Sequence, residues 1–299
     1  MQRRILASLV FLVAVGTVSA DWLQFRGPNG QGIAPDNNMP LEWSDNANVA
    51  WRTALPGPGA SSPIVVGDKI FVTCYSGYGI DQENPGDQKN LKRHVVCADR
   101  KTGKIAWQRE IVAAEGEPEY RSFVTLHGYA SSTPVSDGKI VYFFFGKSGV
   151  YAFDLDGKQL WHASVGTDTK YWGVGPSPIL YKDFVIVNAS TESQSIVALN
   201  KATGKQVWTA KGVIESWNTP VLVKTPAGAT ELAVGSEPLM MGFDPDTGKE
   251  LWRAKTYSWY VCPSLAVHEG ILYGLQHTIC VAVKSGGRGD VTDSHVQWK

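Results

Sequence analysis

Apolar residues in this chain fall in short runs, such as Ile70 to Cys74, Ile140 to Phe145, Val150 to Phe153 and Ile196 to Leu199, separated by turn residues rather than by long amphipathic stretches. Runs of this length, rich in β-branched and aromatic residues and bounded by Gly, Pro, Asp and Asn, predict strands. Their order recurs. A Ser/Thr-Pro pair opens an apolar first strand at Ser62-Pro63, Thr133-Pro134, Ser177-Pro178 and Thr219-Pro220, and less closely at Cys262-Pro263-Ser264. A turn such as Gly67-Asp68-Lys69 or Asp137-Gly138-Lys139 leads to the second strand, and a third runs into a turn ahead of a tryptophan.

That tryptophan marks the period. Asp99 to Trp107, Asp154 to Trp161, Asn200 to Trp208 and Asp244 to Trp252 are four copies of one unit, and Trp51 and Trp298 extend the series. Successive tryptophans stand 56, 54, 47, 44 and 46 residues apart, the length of four strands with their turns. The Asp or Asn followed by Thr-Gly-Lys or Asp-Gly-Lys is hairpin chemistry, in which the side chain caps the turn and the glycine takes the left-handed conformation. Each pair Gly103 and Trp107, Gly157 and Trp161, Gly204 and Trp208, Gly248 and Trp252 sets the indole at the start of an outer strand. From there it can cover the neighbouring unit's turn glycine. The fold class that follows is all-β, a β-propeller of four-stranded antiparallel blades.

These units resemble the pyrroloquinoline-quinone (PQQ) repeat family, whose blades carry Ala-x-Asp-x-x-x-Gly-x-x-x-Trp. Ala152-Phe-Asp154 and Ala198-Leu-Asn200 match its opening, and the Gly-x-x-x-Trp half matches in four blades. The segments Trp22 to Pro28 and Gly286 to Val291 also look like exported propellers of this kind from planctomycete-type bacteria. The resemblance implies a ring closed by seven or eight blades, of which about five are present, ending near Trp107, Trp161, Trp208, Trp252 and Trp298. Trp51 is then expected on a closing outer strand, and the ring is expected to be truncated.

Charge narrows the function. Lys plus Arg and Asp plus Glu number 28 each, so net charge points to neither nucleic acid nor an acidic membrane surface. Residues 1–20 combine Arg3 and Arg4, an apolar run from Ile5 to Val18 and Val18-Ser19-Ala20, the pattern of a secretory signal peptide. The mature domain is expected over 21–299, periplasmic or secreted, with no lipidation cysteine at the cleavage point and no transmembrane segment. In such a compartment Cys74 and Cys97, on consecutive antiparallel strands, are candidates for a disulfide, whereas Cys262 and Cys280 read as buried free thiols.

Candidate chemistry sits on the loops that lead into the first strands, which converge on one face of a propeller. They carry Arg121, His127, Tyr129, Trp172, Glu215, Trp217, Trp259 and Tyr260, with Glu237 and His277 opening to the same side. Aromatics with a few polar groups suit a flat ligand, a sugar, a glycan or a peptide; the same residues also suit a plain plug of the funnel. No catalytic residue and no metal ligand is assigned: there is no phosphate loop, His-x-x-x-His or Gly-x-Ser-x-Gly. Arg288-Gly289-Asp290 reads as a chance tripeptide. The resemblance implies two functions. One is a non-catalytic exported scaffold for a protein or ligand, similar in build to the outer-membrane assembly propeller lipoproteins. The other is a dehydrogenase of alcohols or sugars using PQQ and calcium, against which stands the lack of adjacent cysteines and of assignable calcium ligands or base.

Overall fold

The computed structural model describes residues 21–34 and 38–299, so the export signal read at 1–20 lies outside the described residues. Five antiparallel sheets follow one another along the chain. Blade 1 comprises β1 (Ile64–Val66), β2 (Lys69–Ser76), β3 (Lys92–Asp99) and β4 (Ile105–Val112). Blade 2 holds β5 (Val135–Ser136), β6 (Ile140–Phe144), β7 (Val150–Asp154) and β8 (Gln159–Ala163). Blade 3 holds β9 (Ile179–Tyr181), β10 (Phe184–Ala189), β11 (Ser195–Asn200) and β12 (Gln206–Lys211). Blade 4 holds β13 (Val221–Lys224), β14 (Thr230–Ser236), β15 (Leu239–Phe243) and β16 (Glu250–Lys255). Blade 5 is β17 (Ala266–His268), β18 (Ile271–Gln276), β19 (Ile279–Lys284) and β21 (Val296–Trp298); the short β20 (Gly289–Asp290) leaves it to pair in parallel with β16.

Every blade carries one register shift between its third and fourth strands, beside the repeat tryptophan. There each indole faces a small residue: Trp107 opposite Cys97, Trp161 opposite Ala152, Trp208 opposite Ala198, Trp252 opposite Gly242 and Trp298 opposite Ala282. A bulge twists the strand, and the small partner leaves room for the indole to lean toward the next blade. The turn residue is equally explicit. The Asp99 carboxylate accepts from the amides of Lys101 and Thr102, and the Asn200 side-chain oxygen from those of Ala202 and Thr203. This leaves the left-handed position to Gly103 and Gly204.

Those glycines lie under the preceding blade's indole. A Cβ on Gly157 would sit 2.6 Å from the Trp107 ring, one on Gly204 2.7 Å from Trp161, and one on Gly248 2.4 Å from Trp208. The Trp107 and Trp161 Nε1 groups donate to Leu155 O and Lys201 O in the same turns. Trp51 covers Gly103 in this way, but on a segment that joins no sheet among the described residues. Trp252 departs from the pattern. Blade 5 lacks the Asp-Thr-Gly turn, so this indole is fully buried and donates to the Glu231 carboxylate. Gly157→Ala is expected to cost roughly 2–4 kcal/mol, combining left-handed strain with overpacking; chemical denaturation measures it, with Gly212→Ala, in open space on another turn, as the control for backbone strain alone.

A second device joins the inner strands. The amide of Ser62 donates to the Thr133 hydroxyl, Thr133 to Ser177, Ser177 to Thr219, and Thr219 to Ser264, at 2.9–3.0 Å. The Ser/Thr before each proline is thus the rung of a ladder running from blade to blade around the axis, with Ser264 taking the place of the absent Ser/Thr-Pro in blade 5. The segment after residue 20 crosses the same axis. Trp22 exchanges both backbone bonds with Val65, Leu23 O accepts from Ser136 N, and the Arg26 guanidinium reaches Leu265 O at 3.3 Å. Between this segment and the inner strands of blades 3 to 5 lies a cavity of about 800 Å³.

Two cysteine expectations are corrected. Cys97 pairs with Phe71 and Cys74 with His94, so the two thiols are three positions out of register and point to opposite faces of the blade. Both are free and buried, which excludes the bridge in this register. Cys262 and Cys280 are free as expected, but exposed rather than buried. Arg288 and Asp290 are occupied structurally: Arg288 pairs with buried Glu231 at 2.8 Å, and Asp290 caps Thr292.

Candidate functional site

Because strands alternate direction, the connections between blades and those between second and third strands share one face, here called the upper. The remaining hairpin turns form the lower. On the upper face the loop 164–178 sets Trp172 at the centre of an aromatic platform. Its ring lies 4.1 Å from Tyr260, 4.8 Å from Phe123, 4.9 Å from Trp217 and 5.3 Å from Tyr171, between centroids. Tyr260 continues to His277 at 5.3 Å, and His277 to Trp259 at 6.3 Å. Edge-on arrangements dominate, as ring quadrupoles favour.

The platform is held from beneath. Trp217 is buried and its Nε1 donates to Gly173 O at 2.9 Å, fixing the Trp172 loop to the next one. His127 bridges Trp172 O at 2.8 Å and the Ser131 hydroxyl at 2.6 Å. Burial pushes its pKa below the usual histidine value. The loops 212–220 and 256–265 are zipped by Trp217 N to Val261 O and Val261 N to Glu215 O. Below them the Asn188 and Asn218 amides bond to Ser216, Gly235 and Val261, so a buried polar layer is paired rather than orphaned. Lys170 and Glu215 form an ion pair at the platform's edge.

The structure thus brings together Trp172, Trp217, Trp259, Tyr260 and His277, with His127 and Glu215 at the margin. It sets Tyr129 and Arg121 apart, and places Glu237 half-buried in the β14–β15 turn, its amide donating to Ile214 O. Tyr129 is buried in a satellite core with Tyr75, Tyr78 and Tyr120, its hydroxyl donating to Pro118 O. Arg121 is solvent-exposed and paired with Glu119. Phe123 was missed by sequence reasoning; it lies four residues before His127 on the same helical turn, which carries it against Trp172. Tyr171 and Trp259 are each 64 % exposed, so the platform is not a closed plug.

Blades stapled by tryptophan and turn glycine, a hydroxyl ladder at the axis and an open aromatic face define a β-propeller of PQQ-type repeats. The model of the family described as outer membrane protein assembly factor BamB matches residues 41–194 and 192–299, and the chain belongs to that family. It is 26 % identical over 213 residues to outer membrane protein assembly factor BamB of Burkholderia pseudomallei, covering 67 % of this chain and 44 % of that protein. Among solved structures it is similar to BamB of Moraxella catarrhalis (18 % identity, TM-score 0.49, 74 % of this chain and 57 % of that one). It is also similar to a europium-containing methanol dehydrogenase (15 % identity, TM-score 0.55, 88 % and 54 %), a likeness of fold alone. The chain spans about half the length of these relatives.

The dehydrogenase fold raises the question of whether this chain could hold the quinone and its calcium. Calcium takes about six to eight oxygen ligands, usually several from carboxylates. The platform offers Glu215, already engaged by Lys170, and among the described residues no three His, Cys, Asp or Glu side chains converge on a metal position. The platform therefore does not assemble the carboxylates that such a calcium would take.

Proposed function

We propose that this chain is an exported, non-catalytic scaffold. Residues 1–20 direct export and are removed; residues 21–299 form a propeller that works in the periplasm or outside the cell and holds a partner protein on the Trp172 platform. Its membership of the BamB family supports a protein partner over a small-molecule substrate. Among the described residues no helix is long and apolar enough to cross a membrane. The observation that carries the reading is the exposure of Tyr171 and Trp259 on a platform whose core is rigidly paired. Large rings held open to solvent over an ordered base are the make-up of interface anchors.

The test places a photo-crosslinking residue at Tyr171 and, separately, at Lys182 on the lower face, in cells that export the protein. Discrete adducts from position 171 and none from 182 are expected. Alongside, the purified protein is titrated with PQQ and Ca²⁺ by calorimetry and assayed for dye reduction with alcohols and sugars. Uptake with turnover, and no adduct from either face, would overturn the scaffold reading.

A further inference from the structure

The chain is neutral as a whole, but its two faces are not alike. The nine upper connections, residues 77–91, 113–134, 145–149, 164–178, 190–194, 212–220, 237–238, 256–265 and 277–278, carry ten acidic side chains and four basic ones. The nine lower turns of the 1–2 and 3–4 hairpins, leaving aside the long 285–295 excursion, carry seven acidic and nine basic ones. Of the upper acids, Glu117 and Glu192 are buried, and Asp87, Glu119 and Glu215 are matched by Lys89, Arg121 and Lys170. Asp81, Glu83, Glu115, Asp168 and Glu237 form no ion pair among the described residues. All but Glu237 are exposed.

Between the two sets of turns, the exposed large apolar side chains fall on the upper one. Besides Tyr171 and Trp259, the upper loops expose Ile80, Phe123, Leu126 and Ile214, whereas the lower turns, including those with the repeat's Gly-Lys pair, expose charge. An aromatic centre within an anionic surround recognises one chemistry: apolar anchors flanked by Lys or Arg. The rings take the anchors and aliphatic stems, and attract the cations by their π faces as well. The field repels anionic lipid headgroups and acidic peptides. Resting on the scaffold reading above, we propose that the partner docks through a basic, apolar polypeptide segment.

The probe is a synthetic peptide of about 15 residues alternating Lys with Leu and Trp, a length that spans one platform. A Glu-for-Lys and a Gln-for-Lys version accompany it, each titrated into the protein by fluorescence anisotropy at low and high salt. The cationic peptide is expected to bind at least about tenfold tighter than either control and to lose about tenfold between ~50 and ~300 mM NaCl, as exposed charge pairs do. Tyr171→Ala with Trp259→Ala should weaken it about tenfold, and Glu83→Lys with Asp168→Lys should invert the preference between the charged peptides. Both double variants are on exposed positions, and unchanged melting verifies that they fold. Equal binding of all three peptides, tighter binding of the acidic one, or no binding of any overturns the cationic-partner inference. In those cases crosslinking from Tyr171 still decides, independently of partner charge, whether the platform holds a protein at all.

Discussion

Arg93→Met should cost about 3–5 kcal/mol, because it leaves a carboxylate buried without its cation. Arg93 is 1 % exposed on β3, yet its guanidinium has a partner in each direction. It meets Glu117 at 2.9 Å, the Tyr129 carbonyl at 2.8 Å and the Ser148 hydroxyl at 2.9 Å. Glu117 and Tyr129 belong to the connection 113–134, and Ser148 to the β6–β7 turn, whose hydroxyl also accepts from Ala114 N. One side chain of blade 1 therefore fixes the loop leading to blade 2 and a turn of blade 2 itself. For a chain of this size the loss corresponds to a fall in Tm of about 10 °C. Removing both charges, Arg93→Met with Glu117→Gln, should recover at least half of it, since the penalty lies in the unpaired charge and not in the missing bond. If single and double variants melt alike, Arg93 acts by packing alone. Because His127 lies on that connection, the single variant should also lower platform binding.

What could be read from the sequence follows from whether its cause is local. The Asp-Thr-Gly turn, its tryptophan and the strand order are each set within about ten residues, and a turn that needs a left-handed residue shows itself as glycine. The family's leading alanine also has a local cause, since Ala152 and Ala198 face the indoles across a bulge. The Ser/Thr-Pro pair is visible as a recurrence, but its role is not, because each hydroxyl serves an amide 42 to 71 residues away. Cys74 and Cys97 do lie on the consecutive strands expected, yet the register between those strands is set by pairing across a 15-residue connection and not by any turn signal. Tyr129 sits in a converging loop, which is why it reads as a platform residue. That loop is long enough to fold back on Tyr75 and Tyr78 as a core of its own. Trp172, Trp217 and Tyr260, on loops tied to one another by Trp217 Nε1 to Gly173 O and Trp217 N to Val261 O, go where convergence toward the axis sends them.

Stability is expected to fall as pH rises from about 4.5 to 7 on account of one residue, Glu192, and Glu192→Gln should remove that part of the dependence. The residue sits on the short helical turn Ser190–Ser193 between β10 and β11, beneath the Trp172 loop. Its carboxyl is buried, one oxygen accepting from the Thr191 hydroxyl at 2.5 Å while the other has no partner. Burial, with a smaller push from the Glu117 charge, raises its pKa from 4.5 to about 7. Folded protein therefore holds a proton that the unfolded chain has released. The contribution is complete below the unfolded pKa and is lost as pH climbs through the folded one, for a total of about 3 kcal/mol. His127 works in the opposite sense: burial lowers its pKa, so its contribution is present above the ordinary histidine value and lost as pH falls. The difference between wild type and Glu192→Gln, measured by denaturant at pH 5 and pH 8, isolates the carboxyl. The variant should gain at pH 8 relative to wild type by about that amount and match it near pH 4.5. A constant difference at all pH values would mean that Glu192 is solvated and titrates normally. The consequence reaches the platform, because Asp168 N donates to the Glu192 carbonyl and Gly166 packs against it. Ionisation strains the turn on which the Tyr171-Trp172 loop rests, so protection of the amides of 166–174 from hydrogen exchange should fall between pH 6 and 8, after correction for the intrinsic rate, in wild type and not in the variant.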